Sequence, residues 1–315
     1  MVYITDLHEG DQVQGIYLCK SKKTCQKATG KSYYALTLQD KTGALDARVW
    51  NLTSGISNFN ELDYIFVKGK VVFFQNALQL HIDQLRIAQE GEYLPEDYVP
   101  LSEQGIDAMY EELTGFINSM ENAPLKELVA SFFIKDQDFK KNFCAHSAAK
   151  SVHHSFQGGL LEHTLGVVKI CNFMSEQYPI LNRDLLLSAA MFHDVGKLKE
   201  ISPHPENDYT DEGQLLGHLI IGVEMLNERI ATLGNFPPKL ASQLKHCILS
   251  HHGSLEYGSP KVPATAEALA LSLADLMDAR METMTETLRS GDDKMEWIGY
   301  NRYFESNIRR TNIKE

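Results

Sequence analysis

Residues 183–200 read RDLLLSAAMFHDVGKLKE. Apolar residues recur there at helical spacings, so the stretch is predicted as a helix running into the adjacent pair His193-Asp194, with Lys197 one turn later. Outward from that pair the same periodicity extends in both directions. It holds in IDAMYEELTGFINSM (106–120), LLEHTLGVVKICNFMSEQY (160–178), GHLIIGVEMLNERIATL (217–233), PKLASQLKHCILSHH (238–252) and the long apolar-periodic run at 264–288. The expected fold of residues 106–315 is an all-α helical bundle, whose facing helices can direct side chains to one inner site.

Imidazole and carboxylate groups punctuate these helices. In chain order they are His153 and His154, His163, His193 and Asp194, His218, His251 and His252, and Asp275 and Asp278. One histidine on an apolar helix is most often a satisfied core or surface residue. Here four separate helices bring one or two such groups each, beside apolar positions such as Leu160, Ala190, Met191 and Leu219. Burying that many polar side chains without partners would be costly, and a shared metal removes the cost. Mixed nitrogen and oxygen donors suit Mn, Fe, Co or Zn, and the absence of thiolate partners argues against a structural zinc site. His204 and His246 are expected to be structural or exposed.

The first ninety residues read differently. GDQVQGIYLC (10–19), SYYALTLQD (32–40), LDARVWN (45–51), YIFVKGKVVFF (64–74) and ALQLHIDQLRI (77–87) are rich in β-branched and aromatic residues, with turns such as DKTG (40–43) between them. Five short strands in so little chain predict a small all-β barrel of the OB type over residues 1–90. Residues 91–105, with two prolines and several acids, are expected as a linker. The chain thus reads as multidomain, a β-barrel followed by a helical bundle.

Composition bounds the function. The 315 residues are 43% hydrophobic and 23% charged, the balance of an ordered globular chain. No apolar stretch approaches the roughly 20 residues of a membrane span, so no membrane partner is expected. MVYITDLHEGDQ has neither the basic nor the apolar region of a signal peptide. Cys19, Cys25, Cys144, Cys171 and Cys247 are scattered without C-x-x-C spacing, which fits a reducing cytoplasm. The net charge of −12 argues against a simple basic DNA-coating protein. Residues 1–90, however, carry ten basic and nine acidic residues, so the acid excess lies in the histidine-rich part. Lys20, Lys22, Lys23, Lys27 and Lys31 form a run without an acid, expected in a loop between the first two strands beside Tyr33 and Tyr34, with Trp50, Phe73 and Phe74 on later strands. A lysine-rich loop is usually just solvated. Together with aromatic platforms it is what single strands bind, although strand alternation lets only one of each adjacent aromatic pair face a groove.

GGLLEHT, FHDVGK and SHHG, with the ordered set His163, His193-Asp194 and Asp275, resemble the signature of HD-domain metal-dependent phosphohydrolases. His218, His251 and His252 resemble the subset with two metals. A barrel of the OB type followed by an HD domain resembles the YhaM-type 3′-5′ exoribonucleases of bacteria over nearly the whole chain. The resemblance implies one metal on His163, His193, Asp194 and Asp275, and a second on Asp194, His218, His251 and His252, with Asp194 bridging. The cofactors implied are two divalent ions, Mn before Co, Fe, Mg or Zn. The substrate implied is single-stranded RNA, with single-stranded DNA as a second candidate, and the polarity of digestion rests on the resemblance alone.

Two such ions would polarise a phosphoryl oxygen, supply the attacking water and offset charge on the leaving oxygen, so no protein nucleophile is required. Beside Asp194, Lys197 is positioned to meet the phosphate, and His154 to contact phosphate or protonate a leaving group. A solvated helix-end lysine and a backbone-bonded loop histidine are the plainer readings. Asp278 shares a helix face with Asp275 and is expected either to orient a ligand histidine or to form a surface salt bridge, for example with Arg280. Two other functions stay open: an HD nucleotidase or cyclic-nucleotide phosphodiesterase with a regulatory barrel, and a non-catalytic nucleic-acid-binding module. The barrel and basic run count against the first, and the intact ligand set against the second. Homo-oligomerisation is left open.

Overall fold

The structure is a computed structural model that describes residues 2–27, 30–52, 55–74, 77–99, 105–150, 156–290 and 295–311. It divides into two units, Met1–Leu101 with Pro203–Asn207, and Ser102–Ser202 with Asp208–Glu315.

In the first unit five strands close a barrel: β1 (Gln12–Gln26), β2 (Ser32–Asp40), β3 (Gly43–Val49), β4 (Tyr64–Phe74) and β5 (Ala77–Ile87), in the order β1-β2-β3-β5-β4. β3 and β5 run parallel, and the other neighbours are antiparallel. This is the five-stranded Greek-key barrel of the OB-fold. Alternate residues point inward, and Val13, Tyr17, Cys19, Leu36, Leu38, Ala47, Val67, Val71 and Leu80 fill the interior. β1 serves two neighbours. Gln12–Leu18 pair with β4 and Leu18–Gln26 with β2, with a bulge between Cys19 and Ser21. Such a bulge bends a strand where it changes partner.

That length corrects one expectation. Lys20, Lys22 and Lys23 lie within β1, and of the basic run only Lys27 and Lys31 lie in the connection to β2. Apolar alternation stops after Cys19, so the local pattern ends the strand early, whereas hydrogen bonding to β2 carries it on to Gln26. In the segment expected as a linker, residues up to Val99 are held to the barrel. Tyr93 stacks on Tyr64 at 3.9 Å, Tyr98 meets Tyr64 edge-on at 5.0 Å, and Lys41 Nζ pairs with Asp97 at 2.8 Å.

The second unit is built from α1 (Ile106–Asn118), α2 (Ala123–Phe133), α3 (Gln137–Ala145), α4 (Gly159–Gln177), α5 (Arg183–Phe192), the single turn α6 (Lys197–Glu200), α7 (Asp211–Thr232), α8 (Pro238–Ser250) and α9 (Ala266–Ser290). Asn122, Asp136, Asn182 and Thr210 cap α2, α3, α5 and α7 by accepting amide hydrogens of the first turn. α5 is buried on every side from Asp184 to Phe192, which makes it the central helix, with α4, α8 and α9 packed around it. Beyond α9 the structure departs from an all-α unit. β6 (Trp297–Asn301) and β7 (Ser306–Arg309) form an antiparallel pair. Among the described residues no helix is long and apolar enough to cross a membrane.

Candidate metal centre and barrel face

α5 delivers His193 and Asp194 from its C-terminal end into the middle of the bundle, where both are buried. α4 brings His163 and α7 brings His218. His251 and His252 follow α8, and α9 brings Asp275. All seven proposed ligands therefore meet, and their donor atoms fall into overlapping triads: His163, His193 and Asp275; His193, Asp194 and His251; and His218, His251 and His252.

The histidines are oriented alike. Nδ1 of His163 bonds to Asp278 Oδ2 at 2.7 Å, of His193 to the Ala190 carbonyl at 2.7 Å, and of His218 to Glu200 Oε1 at 3.0 Å. Nδ1 of His251 bonds to the Ile248 carbonyl at 2.8 Å and that of His252 to the Tyr257 carbonyl at 2.9 Å. These acceptors place a hydrogen on each Nδ1, so that Nε2 of His163, His193, His218 and His251 faces Asp194 and that of His252 faces His218. Asp194 stands between two sets. Its Oδ2 is 3.4 Å from Nε2 of both His163 and His193, while its Oδ1 is 3.5 Å from Nε2 of His218 and 3.8 Å from that of His251. Asp275 Oδ1 lies 3.2 Å from His163 Nε2.

The donor set fits divalent metal. Asp194 Oδ1 is buried and accepts no hydrogen bond among the described residues, a costly state for a carboxylate oxygen without a cation. Nε2 of His163 and His193 are 3.1 Å apart, and those of His218 and His252 are 3.2 Å apart. Two nitrogens each bonded to one ion at about 2.0–2.1 Å stand roughly 3.0–3.4 Å from each other.

The electrostatics agree. Burial alone would raise the Asp194 carboxyl, but Lys197 and His193 beside it hold it well below the usual carboxylate range. Burial likewise opposes charge on Lys197, yet Asp194, 2.6 Å from its Nζ, raises the ammonium above its ordinary value. Burial opposes charge on His163 too, but Asp194, Asp275 and Asp278 raise it well above the normal imidazole value. Burial, reinforced by His193, holds His251 well below it.

Asp278 accepts the His163 Nδ1 hydrogen, the orienting contact that is one of the two readings expected of it. Gly166 makes room for it, because a Cβ there would collide with the Asp278 carboxylate. His246 is structural, its Nε2 accepting the Ala264 amide at 2.9 Å. His153 and His154 lie outside the described residues.

On the barrel, Tyr33 and Tyr34 split between faces. Tyr34 packs edge-on against the core residue Phe59 at 5.8 Å, whereas Tyr33 lies 4.7 Å from Trp50. Lys27 Nζ sits 5.1 Å above the Trp50 ring, and His81 meets that ring edge-on at 5.7 Å. Lys23 and Lys31 are exposed. Lys22 is committed elsewhere, its Nζ bonding to the Phe59 carbonyl at 2.5 Å over the rings of Tyr34 and Phe59. Lys20 Nζ donates to the Pro205 and Glu206 carbonyls, which group with the barrel unit.

A family model for the HD domain matches residues 160–280. The chain is 33% identical over 288 residues to the 3′-5′ exoribonuclease YhaM of Listeria innocua, covering 91% of each. It is 33% identical over 281 residues to that of Geobacillus sp., covering 89% of this chain and 86% of the relative. The chain belongs to the YhaM family of 3′-5′ exoribonucleases. Among solved structures, the second OB-fold domain of replication protein A from Methanococcus maripaludis is similar over 30% of this chain and 97% of its own, at 20% identity and a TM-score of 0.24.

In this YhaM-family chain the HD match spans every residue from His163 to Asp275, and divalent-metal dependence comes with that domain. Two residues at these sites escaped the sequence reading. Glu200 Oε1 accepts both the amide and the Nδ1 hydrogen of His218, each at 3.0 Å. The hint was an acid six residues after Asp194, within an ordinary charged turn. His81 borders Trp50, and no local signal marks it.

Proposed function

We propose that this chain removes nucleotides from the 3′ end of single-stranded RNA by hydrolysis at a pair of divalent ions, with single-stranded DNA as a second substrate. The observation that carries the reading is Asp194, whose two carboxylate oxygens each face a separate pair of histidines. His163, His193, Asp194 and Asp275 would hold one ion, and Asp194, His218, His251 and His252 the other. Nitrogen and oxygen donors without thiolate suit Mn, Fe, Co or Zn, and Mn is the ion we propose first. Bound there, the ions supply an activated water and neutralise charge on the scissile phosphate.

The chain's own groups do the rest. Asp278 and Glu200 fix the imidazoles that receive the ions. Lys197, partly exposed beside Asp194, offers a cation to a phosphate oxygen arriving at the site. His154 remains the proposed second contact to phosphate or donor to the leaving oxygen. In the barrel, Tyr33, Trp50 and Lys27 lie on the β2–β3 side, the face with which OB-folds bind oligonucleotides, and combine stacking with charge. That face counts against a nucleotidase, which has no use for a strand-binding platform. We assign residues 1–90 to strand binding, 91–105 to the connection and 106–315 to hydrolysis. The five free thiols fit action in the cytoplasm.

Ligands this deeply buried admit a flexible strand and exclude a stiff duplex. The test is a 5′-labelled hairpin RNA with Mn²⁺, with and without a 3′ single-stranded tail of about ten nucleotides, a length within one OB site. Only the tailed RNA is expected to shorten, stepwise from its 3′ end and stalling near the stem. Equal loss of both, or cutting of circular RNA, would overturn the reading.

A further inference from the structure

α4 and α9 carry His163, Asp275 and Asp278 toward the interior, and both leave large apolar side chains facing solvent. Phe173 and Tyr178 at the end of α4 are 60% and 58% exposed, and Ile180 just beyond them is 80% exposed. On α9, Leu269, Leu273 and Met277 are 54%, 51% and 55% exposed, and they recur every fourth residue, so they form one stripe. The two helices pack together, and Met174, Tyr178 and Leu273 wall two adjoining grooves of about 230 and 470 Å³ between them. The apolar surface is therefore continuous.

Its size sets it apart. Leu276 and Met281 extend the α9 stripe and are about half exposed. At about 200 Å² for a large side chain, these eight residues leave roughly 900 Å² of apolar surface in water. The largest patch on an ordinary monomer is about 300–600 Å². A stable protein–protein interface takes about 800 Å² from each partner.

Charge selects the occupant. Among the described residues lining the grooves only Lys169 is charged, and its Nζ is paired with Glu112 at 2.7 Å. A nucleic acid or an anionic lipid surface needs free cations, and the whole chain carries −12. An apolar face of this area is complementary to itself, because a two-fold axis sets the same stripe against its copy without any matching of opposite charges. We infer that the α4–α9 face is the two-fold interface of a homodimer of this chain.

The test is the mass of the full-length, metal-loaded protein by light scattering at micromolar concentration. The expected value is twice the 35.5 kDa of one chain. It should persist in about 0.5 M salt, since apolar contacts are not screened. Phe173→Glu with Ile180→Glu should give the mass of one chain, with the helical circular dichroism and the hydrolysis of a nitrophenyl phosphodiester unchanged. Leu269→Glu, at the far end of the stripe, should do the same and stands in if the double variant misfolds. A wild-type protein of single-chain mass overturns the inference without any variant. A dimer that survives all three substitutions in folded protein overturns it as well.

Discussion

Asp194 is the residue on which both halves of the proposed two-ion centre would depend, because it is the acid that faces both histidine pairs. Asp194→Ala is expected to abolish turnover and to lose both ions, while the apolar cores keep the chain folded. Elemental analysis showing wild-type metal content in the variant would remove the bridging role. Glu200 acts on one half only. Glu200→Ala frees the His218 ring and should weaken metal binding roughly 10- to 100-fold, with the loss concentrated in one of the two ions. Glu200→Gln keeps an acceptor and should lose less, so equal losses in the two variants would argue for a merely structural Glu200. The pH dependence follows from His163. Its acids hold its imidazole well above the ordinary value, so in metal-free protein at neutral pH it carries a proton where an ion must bind. Binding must expel that proton, and affinity falls as the solution becomes more acidic. His251, held low by burial and His193, is already neutral and contributes no proton. Calorimetry in two buffers of different ionisation enthalpy should therefore report proton release on metal uptake at pH 7, and identical heats would contradict it.

Between residue and fold, the approach of α6 to α7 decides where His218 sits. Gly196 lies against α7 so closely that a Cβ would collide with the His218 carbonyl and stand 2.8 Å from the Gly222 nitrogen. Gly217 interrupts α7 with φ 73° and ψ 156°, a conformation essentially reserved for glycine, and turns the His218 amide onto Glu200. Gly196→Ala should lower stability by about 1–3 kcal/mol through overpacking. It should also displace His218, so that metal content drops with the melting temperature. A stable variant with full metal content would show that α7 is not set by this contact. The helices and the meeting of these histidines and aspartates were legible in the sequence because apolar spacing is local and because imidazoles amid leucines are conspicuous. Asp278 was legible too, one turn from Asp275. Glu200 was not, since its role depends on a kink 17 residues away that swings His218 back over it. The end of β1 was not, since KSKKTCQ has no apolar alternation and its strand character comes from pairing with β2. The β6–β7 pair, a few residues per strand after a long helix, left too short a pattern to read.

At the scale of the whole molecule, the proposed function divides the work, with the barrel unit holding a strand and the bundle unit cutting it. The barrel's contribution is separable by choosing residues that its fold does not need. Trp50 and Lys27 stand together on the β2–β3 side, with Tyr33 beside the indole. Lys22, by contrast, is bonded to the Phe59 carbonyl and covers two rings, so removing it tests the barrel's stability and not its affinity. Trp50→Ala should weaken binding of long single strands by about 1–3 kcal/mol for a lost stacking partner. Lys27→Ala should make the salt dependence shallower by about 0.7 in the log–log slope, one phosphate contact on a single strand. Both changes lie in the barrel unit and leave the proposed ligands unaltered, so hydrolysis of a nitrophenyl phosphodiester should stay at the wild-type rate. Lys22→Ala should instead lower the melting temperature. If Trp50→Ala reduced cleavage of the small ester as much as that of a long RNA, the barrel face would belong to the reaction itself and the division between the two units would fail.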